Sequence, residues 1–376
     1  MSNLQIHIIA FDIPYPSDYG GIIDVFYRIK ALHQKGVKIN LHCFEYNKPK
    51  APTLSEYCEN VYYYKRTTSF WKLFSTLPFV VVTRKNKQLL KNLCEDKYPI
   101  IFEGLHTCYY LNNAKLRNRT KVVRTQNIEH QYYQALSLAE KGLAKRLYYR
   151  LEAIKLKYYE GILKYANHIL AINKLESNAL SKLYGNTSLL NTFHANNSIT
   201  SIVGSGNYCL YHGNLSVPEN HVAAFYIINK VFAKINTPLI IAGKMPSEAL
   251  IKQVKQHKHI KIVHNPSNAQ MDELVQNAQI NLLISFQATG IKLKLINSLF
   301  AGRHCIVNDA IIRNTELEKL CTIANTPDEI ISAIEQLLVI PFELPEIKRR
   351  EQVLRSNFYN AQNAQELISL MQDLSP

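Results

Sequence analysis

The sequence predicts an α/β protein built from two doubly wound domains in series. Three observations carry this. Short β-branched runs alternate with helical periodicity from end to end of the 376 residues, the pattern that parallel sheets with crossover helices require. The length suits two domains at roughly 100–200 residues each. Periodicity lapses once, between His194 and Asn207, where the chain reads Ala-Asn-Asn-Ser-Ile-Thr-Ser-Ile-Val-Gly-Ser-Gly. Small polar residues of this kind mark a linker, so the domains are expected at 1–194 and 207–359.

In the first half, strands are expected at residues 5–10, 38–44, 61–64, 100–103, 121–125 and 168–172, with helices in the gaps. The longest helical stretch, 143–165, places Leu147, Leu151, Ile154, Tyr158, Ile162 and Tyr165 at spacings of three and four, a wide apolar stripe. In the second half, strands at 208–211, 239–242, 261–264, 280–284 and 305–307 bracket helices at 219–232, 248–256, 269–277, 293–300 and 328–338. Ligands of such sheets sit beyond the carboxyl ends of the strands, and the candidate residues are sought there.

Composition narrows the function. With 47% hydrophobic residues and a mean hydropathy of −0.14, the chain is neither disordered nor a bundle of membrane spans. Its net charge of +15 is unevenly placed: residues 1–200 hold 28 Lys and Arg against 14 Asp and Glu, residues 201–376 only 16 against 15. The first half is therefore expected to meet an anion or an anionic surface, unless the lysines serve solubility alone. Seven scattered cysteines without a C-x-x-C pair read as thiols in a reducing compartment. No signal peptide or transmembrane stretch is expected, which suggests a cytoplasmic protein, at most peripheral to a membrane.

Candidate chemistry lies at the strand ends. After the first strand, Gly20-Gly21 opens a helix, which either brings free amides to a phosphate or serves a turn. The fourth strand ends in Glu103-Gly104-Leu105-His106, where a catalytic or sugar-binding histidine would stand. The fifth runs into Arg124-Thr125-Gln126-Asn127-Ile128-Glu129-His130, a polar run suited to a hydroxyl-rich ligand or to a solvated loop. In the second half, His212-Gly213-Asn214 and Gly243-Lys244 each join a glycine to a polar or cationic neighbour, as a base, ribose or diphosphate would need. Thr289-Gly290-Ile291-Lys292-Leu293-Lys294 then sets two lysines at a helix N-terminus. Cations are unfavourable there unless an anion offsets them, so a phosphate site is expected. None of the eight aspartates forms Asp-x-Asp, and no zinc spacing, Walker motif or G-x-S-x-G occurs, so no metal is expected in the site.

In these segments the chain resembles the family 4 glycosyltransferases of the GT-B fold. The likeness runs through the Gly20-Gly21 loop, His106, the segment Gln126-Asn127-Ile128-Glu129-His130, the strand Ala166-Asn167-His168-Ile169-Leu170-Ala171-Ile172, Tyr211-His212-Gly213-Asn214-Leu215-Ser216, Ile241-Ala242-Gly243-Lys244 and Gly290-Ile291-Lys292-Leu293-Lys294, in order over nearly the whole chain. The resemblance implies two Rossmann-like domains facing across a cleft, with a C-terminal helix at about 360–376 returning to the first. It implies transfer of a sugar, such as mannose, from a GDP- or UDP-linked donor to a saccharide or lipid-linked acceptor, with retention, in surface polysaccharide or glycolipid synthesis.

By the same resemblance, His106 and Glu129 are the catalytic candidates. Gly20, Gly21, Arg124, Asn127, Gly213, Asn214, Lys244, Thr289, Gly290, Lys292 and Lys294 are the substrate-binding candidates, with Lys292 or Lys294 neutralising diphosphate. The chain departs from the family pattern at three places. The paired glutamates fall at Thr289 and Asn297, the arginine and lysine after the first strand of the second domain fall near Asn214 and Asn220, and the histidine before Asn127 is Gln126. These departures keep two alternatives open, an inactive binding protein of this fold and a sugar-nucleotide epimerase. The basic first half is expected to face an anionic membrane at its inner face, through residues 141–157 and Phe70-Trp71-Lys72-Leu73-Phe74, rather than nucleic acid.

Overall fold

Alternate residues of strand β1 (Gln5–Ala10) point to opposite sides of a sheet. Ile6 and Ile8 share a core with Val25, Ile29 and Leu32 of the helix Gly20–Gln34, while Ile9 joins Leu89, Leu93, Phe102 and Leu156 on the other side. A strand buried on both faces needs helices on both, and that is the first unit in outline. The computed structural model describes residues 4–46, 48–140, 142–286 and 292–374. It divides the chain into Met1–Ala195 with Asn360–Pro376, and Asn196–Tyr359.

The first unit is a seven-stranded, wholly parallel sheet in the order β3-β2-β1-β4-β5-β6-β7. Its further strands are β2 (Lys38–Glu45), β3 (Asn60–Lys65), β4 (Ile100–Glu103), β5 (Lys121–Arg124), β6 (His168–Ala171) and β7 (Thr187–Leu189). The order reverses between β1 and β4, so their carboxyl ends flank the crevice where such sheets bind ligands. The helix Asn360–Asp373 completes this unit. It buries Ala364, Leu367, Ile368 and Met371 in the β1 core, and Asn360 holds the His194 backbone with its side chain at 2.7 and 3.1 Å.

The second unit is a six-stranded parallel sheet, β10-β9-β8-β11-β12-β13. Its strands are β8 (Cys209–Asn214), β9 (Leu239–Lys244), β10 (Ile260–His264), β11 (Ile280–Leu283), β12 (His304–Val307) and β13 (Thr322–Ile323). Gly213 and Gly243 are register partners on β8 and β9, and a Cβ on Gly243 would stand 1.9 Å from the Gly213 carbonyl oxygen. Only glycine permits that approach.

Three expectations need correction. The chain passes from the first unit to the second at Ala195–Asn196, at the start of the segment read as a linker, but the rest of that segment is packed on the second unit: Ser201 Oγ donates to the Gly302 carbonyl at 2.7 Å, and Gly204 and Phe342 exchange two backbone hydrogen bonds. The helix expected over 219–232 is α-helical at Pro218–Tyr226 and continues as a π-helical turn, Ile227–Phe232. The helix expected over 143–165 is α-helical at Leu143–Tyr159 and tightens into a 3-10 turn at Glu160–Tyr165, where Ile162 packs against the core, while the rest of its apolar stripe faces outward. Glu152, Ala153 and Leu156 are buried instead, and Leu147, Leu151, Ile154 and Tyr158 are 50–83% exposed.

Candidate functional site

Beneath the crevice of the first unit lies a buried ion cluster. Asp24 and Arg28, one helical turn apart on Gly20–Gln34, pair at 3.1 Å; Arg28 also pairs with Glu103 at the end of β4, and Arg124 at the end of β5 reaches Asp24 at 3.2 Å. All four side chains are at most 1% exposed. Asp24 further accepts from the Phe193 backbone at 2.8 Å and from Gln126 Nε2 at 3.2 Å. Arg124 donates to the Ala171, Leu190 and Asn191 carbonyls. Two guanidiniums against two carboxylates cancel, which is how a core tolerates four charges. Arg124, expected to bind substrate, is thus sealed in this cluster and ties β5 to the helix and to residues 190–193. Glu103 is sealed with it.

Above the cluster the chain turns at Gly104, whose φ of 64° is a left-handed conformation, and delivers His106 to the carboxyl edge. The imidazole lies over Phe11, ring centres 5.5 Å apart, and its Nδ1 stands 3.9 Å from Glu129 Oε1. Glu129 is the first residue of the helix Glu129–Ala139 and is 3% exposed. Burial, with Glu176 and Glu160 nearby, pushes its carboxyl up to about 8, so it holds its proton at neutral pH. Burial, with the Arg84 and Arg66 guanidiniums, pushes His106 down to about 3, so it stays unprotonated. The sequence-predicted catalytic pair therefore stands together as two neutral hydrogen-bonding groups, a donor-acceptor carboxylic acid and an imidazole.

Gly20 and Gly21 open the neighbouring helix, whose N-cap Tyr19 makes no side-chain cap and whose first turn holds no acid. A Cβ on Gly21 would lie 3.0 Å from Phe11 Cζ, so glycine lets this terminus press against the β1 loop. Asn127 is half-buried on the loop after β5. The sequence did not point to Arg84, which braces the loop by donating to the Phe11 carbonyl at 2.8 and 3.0 Å, or to Asp12, which accepts from the Tyr19 hydroxyl at 3.0 Å. An arginine after an apolar run has no distinguishing local signal.

The second unit gathers its own group at the carboxyl ends of β8, β9 and β11. Gly213, Asn214 and Lys244 are brought side by side by the β8–β9 register, with Lys244 exposed. Asn220 Nδ2 donates to the Asn214 carbonyl at 3.0 Å, and Lys294 Nζ donates to Asn220 Oδ1 at 3.5 Å while lying 5.2 Å from the centre of the Tyr211 ring. Burial lowers Lys294 to about 8, Glu219 acting against the fall and Lys292 with it. Lys292 pairs with Glu219 at 3.1 Å, and Glu219 also accepts from the Ser285 hydroxyl. Glu219 is a further residue to which the sequence did not point: a glutamate in a first helical turn is too common to stand out. It supplies internally part of the negative charge that Lys292 and Lys294 demand at the start of the helix Leu293–Ala301. Lys294 has Asn220 Oδ1 as its hydrogen-bond acceptor and no carboxylate within ion-pair distance among the described residues. Thr289 and Gly290, also predicted here, lie outside the described residues.

Among the described residues, no three His, Cys, Asp or Glu side chains gather as a metal site, and no helix is long and apolar enough to cross a membrane.

No known family profile matches the chain. A protein of Klebsiella pneumoniae described as an uncharacterized 44.6 kDa protein in cps region is 25% identical over 353 residues, 89% of this chain and 88% of that protein. Among solved structures, an α,α-trehalose-phosphate synthase (UDP-forming) from Burkholderia xenovorans, in complex with glucose-6-phosphate, superposes with a TM-score of 0.64 at 11% identity, covering all of both chains. UGT89C1 of Arabidopsis thaliana, complexed with UDP, superposes with a TM-score of 0.61 at 12% identity over 98% of this chain and all of its own. At these identities the likeness speaks of architecture. The two parallel sheets with their flanking helices are those of the two-domain, Rossmann-like GT-B fold.

Proposed function

We propose that the protein is a glycosyltransferase that moves a sugar from a UDP- or GDP-linked donor to a hydroxyl of a saccharide or lipid-linked acceptor. The observation that carries this reading is the division of charge between the two strand-end groups. In the second unit, Lys294 stands against neutral Asn220 and Tyr211, with exposed Lys244 and with Lys292, itself paired to Glu219, so two of its three lysines have no carboxylate at ion-pair distance among the described residues, as suits a diphosphate. In the first, burial keeps His106 and Glu129 neutral, an acceptor and a donor able to hydrogen-bond an uncharged hydroxyl. A charged donor and an uncharged sugar or acceptor fit this pair of sites.

In the reaction proposed, the bond between the anomeric carbon and the diphosphate oxygen breaks as the acceptor oxygen bonds to that carbon. The acceptor proton passes to the departing diphosphate, whose charge Lys294 and Lys292 offset. His106 accepts a hydrogen bond from a hydroxyl of the acceptor and Glu129 donates one. Because Lys294 meets Asn220, where the resemblance calls for a cation, a lysine from another helix serves the position. Retention, independence of metal and mannose as the sugar belong to the same proposal. A place in surface polysaccharide synthesis is supported by the cps-region relative, and an inner-membrane location by the charge of the first half.

A thermal-shift panel of UDP- and GDP-sugars without added metal tests the donor step, since a ligand that binds only the folded state raises its melting temperature. Stabilisation by one nucleotide class, followed by turnover that His106→Ala reduces, is the expected result. No stabilisation by any nucleotide overturns it.

A further inference from the structure

The helix Leu143–Tyr159 is turned inside out relative to an ordinary surface helix. At about 100° per residue, Leu143, Leu147, Leu151, Ile154 and Tyr158 fall within roughly 80° of arc. That arc is 50–83% exposed. The opposite side carries buried Glu152 and Leu156. Glu152 is satisfied inward, accepting from the Phe79 backbone N–H at 2.6 Å and pairing with Lys155 at 2.9 Å, so the orientation is built in rather than frayed.

A second apolar group adjoins it. Phe70, Trp71 and Phe74, on the 3-10 turn Phe70–Phe74, are 65%, 79% and 70% exposed and stack on one another. Lys155 Nζ donates to the Leu73 carbonyl at 2.9 Å, fastening this turn to the helix. Leu138, at the end of the preceding helix, is 85% exposed. A water-facing patch with so many large apolar side chains marks a surface that is covered in use.

Its charge identifies the covering. Arg146, Arg150 and Lys157 lie along one flank of the stripe, and line a groove of about 1060 Å³ with Leu138, Leu143 and Ile154. Apolar tips flanked by a row of cations complement a layer with an apolar interior and an anionic surface. We propose that this face docks on a bilayer containing anionic lipid: Trp71, Phe74, Leu147, Leu151 and Tyr158 enter the acyl boundary while Arg146, Arg150 and Lys157 meet lipid phosphates. The proposal rests on the glycosyltransferase reading in one respect, that such docking would bring a lipid-linked acceptor to the first unit.

The test needs no sugar donor, so it stands apart from the nucleotide experiment. Full-length protein is floated with phosphatidylcholine vesicles and with vesicles also containing phosphatidylglycerol, at low and high salt. Binding should require phosphatidylglycerol and weaken with salt. Arg146→Ala with Arg150→Ala should lower vesicle affinity about thirtyfold, as loss of two surface cations predicts. Leu147→Ser with Leu151→Ser should lower it about tenfold or more. These side chains are exposed, so thermal melting should be unchanged in both variants. Binding indifferent to anionic lipid, or unaffected by the substitutions, overturns the proposal. So does a Leu147→Ser, Leu151→Ser variant that dissolves a dimer of the parent chain while the parent ignores vesicles, since the face is then a contact between copies.

Discussion

Lys294 offers the sharpest test of the second-unit site, because its pKa of about 8 makes its charge adjustable within the working range. A diphosphate binds the ammonium and not the amine, so binding draws the pKa upward and affinity is full below it and lost as pH rises through it. If only the charged form binds, the apparent Kd for UDP or GDP should climb about tenfold between about pH 7 and pH 9, a change of about 1.4 kcal/mol. Isothermal titration calorimetry at the two pH values measures it directly. Lys294→Met should bind about tenfold or more weakly at neutral pH, as loss of a charge-assisted hydrogen bond predicts, and should lose the pH slope. Lys294→Arg keeps a cation at both pH values, so its slope should also vanish while binding survives. A parent protein with equal Kd at both pH values, or a methionine variant that keeps the slope, would refute the assignment of Lys294 to the phosphates.

Two further outcomes concern the scaffold. Asp24→Asn leaves Arg28 and Arg124 with Glu103 as the remaining carboxylate of the cluster, and should destabilise the first unit by about 3–5 kcal/mol in denaturant titration; adding Arg124→Met should recover part of it by restoring neutrality. His7 and His42 are buried and hydrogen-bonded to each other at 2.8 Å, and burial holds both below the ordinary histidine value. Below about pH 6.5 the unfolded chain takes up protons that the buried pair resists, so stability should fall as the pH drops further, less steeply in His42→Gln.

The strands were legible because a parallel strand buried on both faces is a run of β-branched residues, as in Ile-His-Ile-Ile of β1. The edge strands β7 and β13 were not, being three and two residues long with Thr and Ser among them. Sites followed the same division. The two lysines of the second unit stand out because charge opposes the helix dipole in sequence as well as in space. Arg124 misled, since nothing near it in the chain discloses Asp24, a hundred residues earlier, as its partner. The neutrality of His106 and Glu129 was equally hidden, because desolvation is set by residues that only the fold assembles. The outward stripe of Leu143–Tyr159 has core-like periodicity, and periodicity tells which residues share a face without telling what the face meets.

The helix Asn360–Asp373 has a consequence for biosynthesis. The first unit is interrupted by the whole of the second, and its β1 core lacks Ala364, Leu367, Ile368 and Met371 until this helix is made. At a synthesis rate of about 5–20 residues per second, the roughly 180 intervening residues delay that moment by on the order of ten to forty seconds. For that interval the nascent first unit exposes the part of its β1 core that the returning helix will cover, so a ribosome-associated holdase should contact the first unit longer than the second, although the second is translated later.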